Sequence, residues 1–121
     1  MPLSNLKNVL HLEGEPLIAM DVAATLADAG VANVIHAMTC AEALALLETA
    51  EMDAAVLDVE TVDGSTEPVA QRLREMGVTF VMYTALSKVT GAHAESAELL
   101  IKPVAAADLV EAIKAVLAQR H

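Results

Sequence analysis

Three polar residues stand where three apolar runs give out. Asp58 follows Ala54-Ala55-Val56-Leu57, Thr84 follows Phe80-Val81-Met82-Tyr83, and Lys102, with Pro103 behind it, follows Leu99-Leu100-Ile101. An acid, a hydroxyl and an ammonium suit an oxyanion. If the three runs are strands of one open parallel sheet, their carboxyl ends border a shared crevice and the three side chains converge there. Taken alone, Asp58 could simply end a strand and begin a turn, and Thr84 could be an ordinary β-branched strand residue. It is the pairing of Asp58 with Lys102-Pro103 that selects the chemical reading, since the proline forces an abrupt turn and leaves the ammonium near the crevice. No Ser/His/Asp arrangement, glycine-rich nucleotide motif or zinc spacing is present. His36, His93 and His121 have no metal spacing with one another or with Cys40. His11, inside the first apolar run, reads as a core histidine with one hydrogen bond.

The elements that must hold these residues follow from the periodicity. Asn8 to Leu12 is a strand, and Pro16 opens a helix over Leu17 to Ala29 in which Leu17, Met20, Ala24 and Ala27 share a face before Gly30 stops it. Val31 to Ala37 is the second strand. Thr39-Cys40-Ala41-Glu42 is a capping box that starts a helix running to about Ala50. Asp53 to Val59 is the third strand. Ser65 or Thr66 caps a helix carrying Val69, Leu73 and Met76, which Gly77 ends. Val78 to Thr84 is the fourth strand, Glu98 to Ile101 a short fifth, and Ala105 to Gln119 a final helix with Leu109, Ile113, Val116 and Leu117 inward. Ala85 to Ala97 lacks a sustained apolar period, so a fourth helix there should be short or poorly ordered. Nearly continuous apolar strands alternating with amphipathic helices predict an α/β fold, a doubly wound parallel sheet covered on both faces.

Composition narrows the function. The 121 residues make one domain, taken as residues 1–121, with a net charge of −10, 55% hydrophobic residues and no tryptophan. The core must therefore be aliphatic. An acidic chain without a Lys/Arg cluster does not bind a nucleic-acid backbone. Cys40 is the one cysteine, which excludes an intrachain disulfide and fits a reducing compartment. Neither a signal peptide nor an apolar stretch of ~20 residues is visible, so the expectation is a soluble, cytoplasmic protein with no membrane contact.

The residues Val9-Leu10-His11-Leu12-Glu13-Gly14-Glu15-Pro16-Leu17-Ile18-Ala19-Met20-Asp21, Ala55-Val56-Leu57-Asp58-Val59 and Ile101-Lys102-Pro103 resemble the receiver domain of bacterial two-component response regulators. The resemblance runs from about residue 7 to 118, with the three motifs in the right order. It implies a five-stranded sheet of flavodoxin-like order and an aspartate phosphorylated by a histidine kinase. By position, Asp58 matches the phosphoacceptor, Thr84 the switch hydroxyl and Lys102 the ammonium that contacts phosphoryl oxygens. Glu13 and Gly14 match the acidic pair that holds Mg2+.

Here the chain departs from the family, because Gly14 offers no carboxylate where a direct metal ligand belongs. A weak Mg2+ site on Glu13, Asp58 and Glu60 is the expectation, with Glu60 favoured over Glu15 as the replacement ligand because its neighbour Asp58 is fixed by a strand. The fifth strand carries Leu99 where receivers usually have a switching aromatic, Tyr83 has the wrong parity to replace it, and the stretch from Thr84 to Lys102 is short. Any switch should then work through order in Ala85 to Ala97.

The resemblance implies a stand-alone response regulator rather than an enzyme, with no output domain after the last helix. Its partners would be a histidine kinase or phosphotransfer protein upstream and another protein downstream, with homodimer formation left open. An alternative is a pseudo-receiver, the same fold serving as an interaction module without phosphorylation, a reading raised by Gly14. A flavin-binding protein of the same sheet order fits poorly, since Glu13, Gly14 and Glu15 would repel an anion after the first strand.

Overall fold

Strands β1 (Asn8–Leu12), β2 (Asn33–Ala37), β3 (Ala54–Leu57), β6 (Thr79–Thr84) and β7 (Leu99–Ile101) form one parallel sheet in the order β2-β1-β3-β6-β7. A computed structural model describes residues 3–85, 99–102 and 104–118 of the chain. The expectation of a short or disordered fourth helix, and Glu98, Pro103, Gln119, His93 and His121, lie outside the described residues. Helices α1 (Pro16–Asp28), α2 (Cys40–Thr49), α3 (Glu67–Met76) and α4 (Ala106–Ala118) cover the sheet. Counting the five strands of this sheet alone, the order is 2-1-3-4-5, as in the flavodoxin-like fold expected from the sequence.

The two sides of the sheet follow from the strand period of two. In β1, Leu10 and Leu12 face one core with Ala55, Leu57 and Met82, closed by Ala43 and Leu47 of α2 and Val69 and Leu73 of α3. Val9 faces the other, with Val56, Val81 and Tyr83, closed by Val22 and Leu26 of α1 and Leu109, Ile113 and Leu117 of α4. With one phenylalanine and no tryptophan, aliphatic side chains carry this double core. Each fully buried leucine contributes roughly 2 kcal/mol.

Local chemistry sets the helix ends. The Thr39 hydroxyl accepts the Glu42 backbone N–H at 3.1 Å, the capping contact read from the sequence. Pro16 opens α1, and Gly77 closes α3 in the left-handed region at φ 72°, where a side chain would be strained. Thr66 stands at the start of α3 without a side-chain capping bond, its hydroxyl donating to the Asp58 carbonyl, and it is the Ser65 hydroxyl that accepts the Glu67 N–H at 3.1 Å.

Two features differ from the sequence reading. In α1 the face made by Leu17, Met20, Ala24 and Ala27 is exposed, and Ala19, Val22 and Leu26 go inward. Both faces are apolar, so periodicity could not choose between them, and docking against the sheet did. Between β3 and α3 the chain also makes an unforeseen hairpin, β4 (Glu60–Thr61) with β5 (Gly64–Ser65). Its turn residue Asp63 reaches the start of α2, accepting the N–H groups of Cys40 at 2.9 Å and Ala41 at 3.1 Å and the Thr61 hydroxyl at 2.6 Å. These hydrogen bonds, the Thr61 one foremost, hold the Asp63 carboxyl far below the usual range.

Candidate functional site

Thr84 ends β6, while Glu13, Asp58 and Lys102 each extend the ladder of their strand by one residue. The Glu13 N–H donates to the Ala37 carbonyl at 2.9 Å, the Asp58 N–H to Leu12 at 3.0 Å, and the Lys102 N–H to Thr84 at 2.8 Å. Glu13, Asp58, Thr84 and Lys102 therefore lie along the carboxyl edge of adjacent strands with their backbones fixed, and their side chains meet.

The Lys102 ammonium lies 2.6 Å from Glu13 Oε1 and 3.0 Å from Asp58 Oδ2. Both acids are buried, Glu13 at 1% and Asp58 at 2% exposure, while the lysine side chain keeps 12% of its surface. The Thr84 hydroxyl, fully buried, donates to Asp58 Oδ1, which also accepts the Val59 N–H at 2.7 Å. Glu13 Oε2 accepts the Glu15 N–H at 3.1 Å. Burial alone would lower the pKa of Lys102, but its hydrogen bonds to Glu13 and Asp58 and their charges outweigh that effect and raise it. The ammonium is thus a fixed positive charge between two negative ones, with Tyr83 offering its ring face 5.6 Å away.

Glu60 is placed differently. It is exposed on β4, and with Glu13, Gly14, Glu15, Thr61 and Val62 it lines a cleft of about 300 Å³. Among the described residues no three His, Cys, Asp or Glu side chains form a group that could hold a metal ion. The edge of the sheet brings together Glu13 and Asp58, but Glu60 does not join them in such a group.

Other residues support the site without having been singled out for it. The Thr66 hydroxyl donates to the Asp58 carbonyl at 2.6 Å, bracing the turn after β3. His36, which has no metal spacing in the sequence, has Nε2 2.7 Å from the Glu13 carbonyl oxygen. A carbonyl only accepts, so Nε2 carries the proton. No signal in the sequence links His36 to Glu13, because the contact depends on how β2 lies beside β1. His11 is a core residue as expected, 1% exposed, yet neither of its ring nitrogens has a hydrogen-bond partner among the described residues, contrary to the single bond anticipated.

The solved structure of SdrG from Sphingomonas melonis Fr1 is 33% identical, over 93% of this chain and 97% of that one, with a TM-score of 0.81. The PhyR response regulator receiver domain of Erythrobacter litoralis is 26% identical over 95% of this chain and 92% of that one, with a TM-score of 0.82. The chain is a CheY-like response regulator receiver domain. A CheY-like receiver domain from Methanospirillum hungatei JF-1, 23% identical over 95% of this chain and 96% of that one, shares the fold with a TM-score of 0.84. No protein-family model and no curated protein sequence matches the chain. Among the described residues no helix is long and apolar enough to cross a membrane.

Receiver domains typically bind Mg2+. In this one the donor set fits such an ion poorly. Gly14 contributes no carboxylate, and all four carboxylate oxygens of Glu13 and Asp58 already accept hydrogen bonds from the chain, two of them from the Lys102 ammonium. An ion requiring near-octahedral oxygen ligation would have to share these oxygens with a positive charge in direct contact.

Proposed function

We propose that this receiver domain accepts a phosphoryl group on Asp58 from a histidine kinase or a phosphotransfer protein and relays the signal to a protein partner. The observation that carries the reading is the meeting of Lys102, Asp58 and Thr84 at one buried point on the carboxyl edge of the sheet. Asp58 Oδ1 is held by Thr84 and the Val59 N–H, which leaves Oδ2, on the lysine side, as the attacking atom. It forms a bond to phosphorus as the phosphorus–nitrogen bond to the donor imidazole breaks, and the product is an acyl phosphate. Catalysis of such a transfer is mainly positioning and neutralisation of charge on the equatorial oxygens. Lys102 supplies the charge and Thr84 a hydrogen bond to one of those oxygens. The switch then lies in the exchange of partners by these two side chains as the acceptor changes from carboxylate to phosphoryl.

A second reading is favoured by one observation: Asp58 is 2% exposed with both oxygens engaged, which suits a pseudo-receiver that uses the fold only as an interaction module. Incubation with a histidine kinase or a small acyl phosphate, followed by intact mass spectrometry of the wild type and of Asp58→Asn, separates the two. An added phosphoryl mass that is absent from the variant is expected. An unmodified wild type with every donor favours the interaction module.

A further inference from the structure

The Asp58 site has a built-in cation. Lys102 contacts a carboxylate oxygen of both Glu13 and Asp58, at 2.6 and 3.0 Å, and its backbone is fixed to Thr84. Among the described residues, the two acids and the ammonium of this cluster sum to a formal charge of −1. A third carboxylate, the feature that would call for a divalent ion, is missing at Gly14, and a Cβ built there would meet nothing within 4 Å. Gly14 is exposed and has room for a side chain.

An arriving phosphoryl group brings negative charge to a point where an ammonium is already held, a placement that favours electrostatic stabilisation of the transition state. A divalent ion would instead be placed in contact with that ammonium and on oxygens that already have donors. We infer that the Asp58 site uses the Lys102 ammonium as the cation that neutralises the incoming group, so that phosphoryl acceptance needs no divalent metal. This rests on the phosphoacceptor reading above. With an acyl phosphate as donor the step balances on these residues alone. Asp58 Oδ2 forms the new bond to phosphorus, the bond from phosphorus to the carboxylate oxygen of the donor breaks, and the carboxylate leaves as an anion needing no proton.

The experiment treats the full chain with acetyl phosphate in excess chelator and, in parallel, in excess Mg2+, and follows the phosphoryl mass over time. Rates within about twofold of each other in the two conditions are expected for the wild type. Gly14→Asp, which restores a carboxylate with space to receive it, is expected to be stimulated by Mg2+ about tenfold or more, the scale on which metal-site groups act. A Mg2+ titration followed by backbone amide shifts at Glu13, Gly14 and Glu15 gives a readout independent of transfer: saturable shifts in Gly14→Asp, none in the wild type. Wild-type transfer that stops in chelator and returns with Mg2+ overturns this inference and leaves the phosphoacceptor reading standing. No added mass in either condition, or mass that persists in Asp58→Asn, overturns both.

Discussion

Replacing His11 with leucine is expected to stabilise the protein, and to do so more strongly in acid. The imidazole is 1% exposed in the central part of the sheet, with no hydrogen-bond partner for either nitrogen among the described residues. Burial first, then the neighbouring His36 and the Lys102 charge, push its pKa from 6.5 down to about 3, against the opposing pull of Asp58. The folded protein therefore holds His11 neutral while the unfolded chain protonates it near 6.5. Because the unfolded state binds the proton first, stability is whole above that value and is lost as pH falls toward about 3. At about pH 4.5 two pK units separate the conditions, a cost of about 3 kcal/mol to the wild type. Leucine has a similar volume and no polar atoms. At about pH 7 it should gain about 1–3 kcal/mol by removing two buried, unpaired nitrogens, and at about pH 4.5 the gain should reach about 4–6 kcal/mol once the proton uptake is added. Urea unfolding followed by far-ultraviolet circular dichroism at both pH values measures this, since the chain has no tryptophan to report by fluorescence. Carboxylates common to both proteins cancel in the difference. A gain that stays the same at the two pH values would refute the neutral, buried imidazole, and a loss at neutral pH would mean that His11 has a polar partner worth more than its desolvation.

Two further perturbations probe the frame of the site. Lys102→Met leaves Glu13 and Asp58 buried and facing each other without their shared cation, and should cost about 3 kcal/mol in urea unfolding at neutral pH; unchanged stability would show that the acids do not depend on it. Asp63→Ala removes the acceptor that ties the hairpin to the start of α2, so the melting temperature should fall and the Cys40 and Ala41 amides should exchange faster. Since the Asp63 carboxyl is held far below its usual pKa, this stabilisation is present above the unfolded value and disappears as pH falls through the folded one. The melting-temperature difference between the two proteins should therefore close in strong acid, and a gap that persists there would count against the carboxylate as the source.

Much of this molecule was legible in its sequence. The apolar runs at Asn8–Leu12, Ala54–Leu57 and Thr79–Thr84, the capping box at Thr39 and the glycine after Met76 act through local backbone preferences and a period of two or 3.6, which need no tertiary information. Asp58, Thr84 and Lys102 could be picked out because a polar residue that ends a buried strand is conspicuous, and a parallel sheet has one carboxyl edge. What could not be read was anything set by one element lying on another. Periodicity offered two apolar faces for α1, and the sheet took Ala19, Val22 and Leu26, leaving Leu17 and Met20 exposed. The hairpin over Glu60–Ser65 is closed by Asp63 reaching α2, a contact across more than twenty residues of chain. The same holds at the site. Residue types and spacing determined that an acid, a hydroxyl and an ammonium would share an edge, but only tertiary packing decided that the ammonium bridges Glu13 and Asp58 while Glu60 stays on an exposed strand. Side-chain reach across neighbouring strands, and the burial that forces charges to pair, belong to the assembled sheet and have no local code.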